Sequence, residues 1–189
     1  EESPKDPKSI YGASKLAGEN IIRSIGLSRG LGYVIMHFSN VYGSPRDRME
    51  RVIPRLVSQA IRGEKLTIYG GDQVLDFTFI DDVAETIGRL IEIRKDILGN
   101  CINIFSGRGV SIHELATMIL RTTGSHSGIA LLPSRKYDVT RFVGDTTRVK
   151  NLLRDYKATP LELGLRSYVR GLQEEDEKQH KASVKKQSH

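Results

Sequence analysis

The sequence predicts an α/β protein with a parallel sheet, and two observations support this fold class. The apolar residues between Ser9 and Arg29 recur at the spacing of one helix face, and Gly30 follows where the helix is expected to end. The next run, residues 33–38, is mostly apolar, as in a strand buried on both faces. Because a helix followed by a buried strand is the unit from which parallel sheets are built, we expect the two kinds of element to alternate.

The later elements follow from periodicity and from residues that begin or end helices. Asp81 and Asp82 place carboxylates at the positive end of a helix that runs to about residue 95. Ser111 and Glu114 have the spacing of a capping box, which begins a helix that ends near residue 123. The other predicted elements are helices over 52–61, 146–153 and 161–172, strands over 66–69, 101–105 and 129–132, and loops over 1–8 and 44–50.

Residues 173–189 form a tail of different composition. They include four acidic residues and four lysines, with almost no apolar side chains. A segment that cannot bury apolar surface gains too little to offset the entropy of ordering, so we expect this tail to be disordered.

Composition excludes several classes of protein. The 189 residues are 38% hydrophobic and 28% charged, which is ordinary for a folded domain and unlike collagen, coiled coils or disordered chains. The single cysteine, Cys101, cannot form an internal disulfide, and no Cys/His spacing predicts a metal site. No stretch approaches the roughly 18 apolar residues of a membrane span, and residues 1–7 do not resemble a signal peptide. We therefore expect a cytoplasmic protein without a metal.

The charge balance is basic, with 29 Lys and Arg against 23 Asp and Glu and a net charge of +6. The basic residues are scattered along the chain, there is no Trp, and no aromatic RNA-binding motif is present. A solvated basic surface, or attraction for small anionic substrates, accounts for this charge better than nucleic-acid binding does.

Tyr11 and Lys15 are the first candidate catalytic residues. They stand four apart in the first predicted helix, so their side chains share one face. An ammonium group near a phenol stabilises the phenolate and makes the tyrosine a usable general base. Such a pair also arises by chance in a chain this rich in Lys and Tyr, so an exposed pair without catalytic role is the alternative.

The residues around this pair resemble a known family. The run Tyr11-Gly12-Ala13-Ser14-Lys15 resembles the active-site helix of the extended short-chain dehydrogenase/reductase family, the NAD-dependent nucleotide-sugar epimerases and dehydratases. Further segments match that family in its own order, and together they cover nearly all of the chain before the tail. They are residues 38–43, 52–54, 66–70, 76–84, 103–107, 133–138 and 144–147.

The resemblance implies the carboxyl-terminal part of a Rossmann-type parallel sheet and a small mixed α/β substrate domain. The cofactor portion would comprise residues 1–43 and 76–107, and the substrate portion residues 44–75 and 108–172. The family's glycine-rich dinucleotide motif and its catalytic Ser or Thr precede the tyrosine, and neither is found here. We therefore expect an incomplete chain that is inactive alone.

The resemblance also implies roles for individual residues. Tyr11 would take a proton from the sugar hydroxyl while hydride leaves the same carbon for NAD, and Lys15 would bind the nicotinamide ribose and stabilise the phenolate. Phe38 and Ser39 would contact the cofactor, although a core aromatic is the other interpretation of Phe38. The substrate-binding residues implied are Asn40, Arg51, Val52, Thr67, Tyr69, Arg135 and Asp138.

Other interpretations of some substrate residues remain open. Arg51 could simply be solvated at a helix end, and Arg135 with Asp138 could be a surface ion pair. Two positions also depart from the family pattern, since Leu75 occupies the place of an arginine that contacts the diphosphate and Tyr137 that of a glycine.

The expected activity is epimerisation at C4 of a UDP-hexose by a homodimer. Two other expectations remain: a 4,6-dehydratase or decarboxylase of the same family, and a non-catalytic module that binds sugar nucleotides. His37 and His113 fit no ligand spacing, so we expect structural roles for both.

Overall fold

The computed structural model describes residues 5–7, 9–136 and 138–187, with side chains described as far as residue 178. Residues 5–7 have no regular secondary structure, and the rest of the predicted amino-terminal loop and Tyr137 lie outside the described residues. The helices are α1 (Ile10–Arg29), α2 (Val52–Ile61), α3 (Ile80–Glu92), α4 (Ile112–Thr123), α5 (Thr147–Leu152) and α6 (Leu161–Gln187), with a short 3₁₀ helix at Arg94–Ile97. The strands are β1 (Ile35–Phe38), β2 (Asn40–Tyr42), β3 (Leu66–Tyr69), β4 (Val74–Phe79), β5 (Cys101–Ile104), β6 (Gly109–Ser111), β7 (Ile129–Leu132) and β8 (Arg141–Phe142).

Capping residues determine where the predicted helices begin and end. Ser9 caps α1, because its hydroxyl oxygen accepts a hydrogen bond from the amide of Gly12 at 3.0 Å. Gly30 ends α1 in the left-handed conformation, with φ 62°, which glycine adopts without steric cost. The predicted capping box of α4 is confirmed, since Ser111 and Glu114 each accept a hydrogen bond from the other's backbone amide.

The sheet pairing is mainly parallel. β1 pairs with β5, β2 with β4 and β3 with β7, all in parallel. β4 also pairs antiparallel with β6 and parallel with β8. The predicted fold class, α/β with parallel strands and a mixed part, is confirmed.

Two apolar cores hold these elements together. The larger lies among α2, α4, α6, β3 and β4, and the smaller among α3, β5 and the segment around α5. The predicted division between cofactor and substrate portions differs from this packing. Val149, Leu153 and Tyr156, assigned to the substrate portion, pack in the smaller core with Ile102 and Ile104. In addition, β4 crosses the predicted boundary at residues 75–76.

Two expectations about burial and order are wrong. β1 is not buried on both faces: only Ile35 is buried, and Phe38 at its carboxyl end is 39% exposed. The tail is not disordered as far as Gln187, because α6 continues through it. The tail is rich in Glu, Lys and Gln, which favour helices. No helix in the described part of the chain combines the length and apolar character needed to cross a membrane.

Candidate functional site

Two contacts fix the direction of α1 across the sheet. The carboxylate of Glu19 contacts the Nε2 atom of His37 at 2.8 Å, near the carboxyl end of β1. One turn further along α1, Arg23 donates a hydrogen bond to the Sγ atom of Cys101 at 2.7 Å. Cys101 begins β5 and pairs with Ile35 at the start of β1. Because the later helix residue meets the earlier part of the strand, α1 runs antiparallel to β1.

This direction places the predicted catalytic pair near the carboxyl end of β1. Tyr11 lies about 12 Å before Glu19 along α1, at about 1.5 Å per residue. Asn40 lies about 10 Å beyond His37 along the extended backbone, at about 3.3 Å per residue. Tyr11 and the segment that follows β1 are therefore at the same end of the sheet.

Tyr11 and Lys15 lie together on α1. The Lys15 Nζ atom is 5.3 Å from the centre of the Tyr11 ring, which is close enough for a cation–π interaction. Tyr11 is 72% exposed, so its phenol group is accessible to a ligand. The hydroxyl of Ser14 points back to the backbone and donates to the carbonyl of Tyr11 at 2.8 Å. The two side chains are brought together as predicted, while their catalytic role stays a prediction.

The residues at and just after the carboxyl end of β1 differ in how exposed their side chains are. Phe38 is partly exposed, so it is not the core aromatic of the other interpretation. The hydroxyl of Ser39 is buried and hydrogen-bonded to that of Thr78 at 2.5 Å, so its side chain has a structural partner. The side-chain amide of Asn40 donates to the carbonyl of Asp76 at 3.0 Å. That bond fixes the amide at the start of β2.

A cavity of about 330 Å³ lies beside Asn40 and beyond the carboxyl ends of β3 and β7. The carboxyl edge of parallel strands is where α/β proteins bind ligands. Five of the seven predicted substrate residues line this cavity: Asn40, Val52, Tyr69, Arg135 and Asp138. The other lining residues are Glu50, Arg55, Gln73, Leu75, Ile112, Val139 and Phe142.

Tyr69 organises the polar wall of this cavity. The guanidinium carbon of Arg135 lies 4.0 Å from the centre of the Tyr69 ring, and that of Arg55 lies 5.9 Å from it. The amide of Gln73 donates to the Tyr69 carbonyl at 2.9 Å. The Asp138 carboxylate accepts the backbone amide of Arg135 at 3.1 Å. Arg135 and Asp138 therefore form a turn in which the guanidinium stacks on the ring, and they are not the surface ion pair of the other interpretation.

Two predicted substrate residues lie away from this cavity. Arg51 lines a neighbouring cavity of about 250 Å³, and its guanidinium donates to the carboxylate of Asp47 at 3.2 Å. The amide of Thr67 donates to the side chain of Gln59 at 3.2 Å, and Thr67 is not among the residues that line the larger cavity. Their predicted contacts with a sugar nucleotide stay predictions.

Sequence reasoning missed Arg55 and Gln73. Arg55 follows Val52 by three residues, so helical spacing could have placed it on the same face of α2. Gln73 follows the Gly70-Gly71 turn, where a polar residue suggested only loop. Phe142 and Ile112 come from distant elements, and no local pattern indicates that they line the same cavity.

Asp76 fixes β4 beside the cavity. Its carboxylate is fully buried and accepts four hydrogen bonds: from the amide and hydroxyl of Ser106 at 3.0 and 2.7 Å, from the amide of Gly107 at 2.9 Å, and a longer one from the amide of Gly144 at 3.5 Å. A buried carboxylate needs such partners to offset its lost hydration. This network joins β4 to the loop after β5.

A second polar network joins α1 to the sheet. Glu19, His37 and Cys101 offer ligand atoms within 4.8 Å of one another, the one such group among the described residues. Each ligand side chain already has a protein partner, since Lys5 pairs with Glu19, and Arg23 donates to Cys101. His37 also contacts Glu19, in the structural role expected of it. Partial burial opposes ionisation of Glu19, but hydrogen bonds from Lys5 and His37 outweigh it and lower the Glu19 pKa.

Parallel strand pairs covered by helices, with a cavity of arginine and aromatic side chains at the carboxyl edge, are features of α/β proteins that bind nucleotides. The NAD dependent epimerase/dehydratase family matches residues 1–104. The chain belongs to this family.

Curated relatives agree with this membership. The chain is 29% identical over 170 residues to an uncharacterized UDP-glucose epimerase, YtcB, of Bacillus subtilis, covering 89% of this chain and 53% of that protein. It is 30% identical over 171 residues to a dTDP-glucose 4,6-dehydratase of Streptomyces griseus, covering 89% of this chain and 51% of that one. The chain thus spans about half the length of the curated relatives that it matches.

Solved structures share the fold. UDP-glucuronic acid 4-epimerase from Bacillus cereus, in complex with UDP-glucuronic acid and NAD, matches with a TM-score of 0.81 and 27% identity over 92% of this chain and 58% of its own. dTDP-glucose 4,6-dehydratase from Bacillus anthracis, in complex with NAD, matches with a TM-score of 0.84 and 26% identity over 94% of this chain and 56% of its own. The Rossmann-type architecture expected from the sequence is confirmed.

Proposed function

We propose that the chain is the carboxyl-terminal portion of an NAD-dependent epimerase that acts at C4 of a UDP-hexose. The observation that supports this most is the cavity at the carboxyl edge of β3 and β7, where five of the predicted substrate residues meet. The direction of α1 places Tyr11 and Lys15 at the end of β1 that leads into this cavity through Asn40.

The described residues fit NAD as the cofactor. Tyr11 offers an exposed phenol, Lys15 an ammonium group on the same face, and Phe38 a partly exposed ring at the end of β1. The Ser39 hydroxyl is already hydrogen-bonded to Thr78, so residue 39 would contact the cofactor through its backbone. When bound, NAD supplies the acceptor for the hydride that leaves C4 of the sugar.

In this proposal Tyr11 and Lys15 act together in the transfer of one proton. Tyr11 acts as the general base and would accept the proton of the C4 hydroxyl at its Oη atom while hydride leaves the same carbon. Lys15 carries an ammonium group with three donors and would donate hydrogen bonds to the nicotinamide ribose. Tyr11 then returns the proton when hydride is restored to the opposite face of the sugar, so the reaction has no net redox change.

The cavity holds the nucleotide end of the substrate. The guanidinium of Arg135 can donate two parallel hydrogen bonds to phosphate oxygens. The carboxylate of Asp138 can accept hydrogen bonds from ribose hydroxyls. Tyr69 presents an aromatic surface beside both, and such surfaces stack on nucleotide bases.

The experiment uses the chain extended at its amino terminus by the corresponding half of a relative. Tyr11→Phe should lower epimerase turnover by at least about 100-fold, because general-base catalysis contributes that much. UDP affinity should stay unchanged. Tyr33→Phe, on a half-buried tyrosine outside both the cavity and the Tyr11–Lys15 pair, is the control. Near-normal turnover of Tyr11→Phe would contradict the assignment.

A 4,6-dehydratase is the second candidate, because the Streptomyces griseus dehydratase is as similar to the chain as the epimerases are. Incubating the extended protein with UDP-glucose and with dTDP-glucose separates the two. An epimerase yields the C4 epimer with the sugar otherwise intact, whereas a dehydratase yields a 4-keto-6-deoxy sugar and releases water.

Assembly and location belong to the proposal as well. A homodimer of the complete protein is consistent with the exposed apolar residues of α1, among them Ile10, Ile21 and Ile25. Light scattering of the extended protein tests this: a monomeric mass would contradict it. A cytoplasmic location stays a prediction from the sequence.

A further inference from the structure

Arg55 has an unusual environment for an arginine. It lies on α2 in the wall of the cavity, half-buried, and its Nε–H group is fully buried without a hydrogen-bond partner among the described residues. Its one polar contact is a hydrogen bond of 3.5 Å from a terminal nitrogen to the carbonyl of Thr67, at the limit of such a bond. A buried donor without a partner is destabilising, so such groups need an explanation in a folded protein.

The positive charge of Arg55 is also not paired with a carboxylate among the described residues. Neither Arg55 nor Arg135 has a carboxylate within ion-pair distance in the part of the chain that the structure describes. The two carboxylates of the cavity have other partners, since Asp138 accepts the Arg135 backbone amide and Glu50 pairs with Arg48 at 3.5 Å. Two guanidinium groups without a carboxylate partner among the described residues therefore line one cavity, both against the ring of Tyr69.

We propose that Arg55 is a second anion-binding residue of this cavity and that, together with Arg135, it binds the diphosphate of the sugar nucleotide. This inference rests on the proposed function for the identity of the ligand. Phosphate oxygens are acceptors that match the fork of donors on a guanidinium. Leu75 in the same wall offers no charge, whereas α2 contributes the guanidinium of Arg55.

The environment of Arg55 distinguishes binding from a structural role. An arginine that holds the fold together has its donors satisfied within the protein, whereas Arg55 has a weak bond to Thr67 and an unpartnered Nε. Replacing it should therefore leave the unliganded protein at least as stable. The substitution should lower only the affinity for ligands that contain phosphate.

The test is a titration of the 189-residue chain, followed by NMR, with UDP, UMP and uridine. Arg55→Met should weaken UDP binding about tenfold or more and leave uridine binding within about twofold, because charge-assisted hydrogen bonds to phosphate are lost. Arg55→Lys keeps the charge and should retain most of the affinity. Arg62→Met is the matched control, since Arg62 lies at the end of the same helix, is exposed and does not line the cavity.

Each outcome decides between the two proposals. If the wild-type chain binds neither UDP nor UMP, the nucleotide site of the proposed function is wrong and the role of Arg55 is overturned with it. If it binds UDP and Arg55→Met binds equally well, only the role of Arg55 is overturned. An equal loss of affinity for UDP and for uridine would also overturn the role of Arg55, because Arg55 would then contact the nucleoside and not the phosphates. If Arg55→Met fails to fold, the structural role is supported against the proposal, and Arg55→Gln repeats the comparison.

Discussion

The cavity and the helix that bears Tyr11 are held in place in different ways. The cavity is lined by α2, α4 and strands that pack into the larger core, where Leu56, Leu66 and Leu115 are fully buried. α1 has no buried residue and contacts the sheet through polar groups, Glu19 with His37 and Arg23 with Cys101. The proposed nucleotide site is therefore built within this chain, whereas the position of the proposed catalytic helix depends on a few polar contacts.

The apolar residues of α1 add to this contrast. Ile10 is 93% exposed and Leu27 is 87% exposed. Exposed apolar side chains along one helix are typical of an interaction surface.

The largest expected effect concerns the core beneath the cavity. Leu115→Ala should lower the free energy of unfolding by about 2–5 kcal/mol, because it leaves a void in a fully buried site. Leu27→Ala on the exposed side of α1 should change it by less than about 0.5 kcal/mol. Urea denaturation of both variants provides the measurement. Equal effects would contradict the contrast between the two regions.

The next effect concerns Tyr156, which joins the smaller core to the loop after β5. Its hydroxyl donates to the carbonyl of Phe105 at 2.5 Å, and burial, aided by Asp82 and Asp76, raises the pKa of Tyr156 to about 12. Tyr156→Phe should cost about 1–3 kcal/mol, because the buried carbonyl loses its donor. The phenol stays protonated below about pH 12, so this loss should not vary between pH 6 and pH 9, roughly. Denaturation of both proteins at the two pH values measures this loss. A loss that varies with pH would contradict the protonated, hydrogen-bonded state assigned to Tyr156.

The smallest effect concerns the polar attachment of α1. Because the pKa of Glu19 is lowered in the folded state, its ionised form contributes stability above the unfolded value of 4.5, and this contribution is lost as pH falls through the lower folded value. Glu19→Gln should cost about 1 kcal/mol near neutral pH and less below pH 4 or so, where the wild type is also protonated. Glu85→Gln, on an exposed residue of α3, is the control.

A single measurement decides the Glu19 prediction. Thermal unfolding across pH 3–7, roughly, should show the wild type and Glu19→Gln converging as pH falls. A constant difference over that range would mean that the ion pairs of Glu19 with Lys5 and His37 contribute nothing measurable.

Capping residues and periodicity predicted most of the helices. Ser9, Gly30 and Ser111 fixed the limits of α1 and the start of α4 because capping depends on neighbours in sequence. β4 was missed because it includes Asp76, whose buried carboxylate is explained by partners thirty or more residues away. The helical tail was missed for a related reason, since its polar composition disfavours burial yet favours helix.

The site also includes residues that the sequence predicted and one that it did not. The resemblance to the family indicated Asn40, Tyr69 and Arg135, and the fold brought them around one cavity. Arg55 was missed because its significance depends on the unsatisfied buried donor and on its distance from Tyr69, which no sequence pattern contains.

The central claim is that this chain alone holds a nucleotide-diphosphate site. Titrating the chain with UDP, while recording the backbone amide signals by NMR, tests it most directly. We expect saturable shifts of the signals from cavity residues, with little change in α1; the cavity residues to follow are Asn40, Tyr69, Gln73, Arg135 and Asp138. The absence of saturable shifts, or shifts confined to α1, would contradict it.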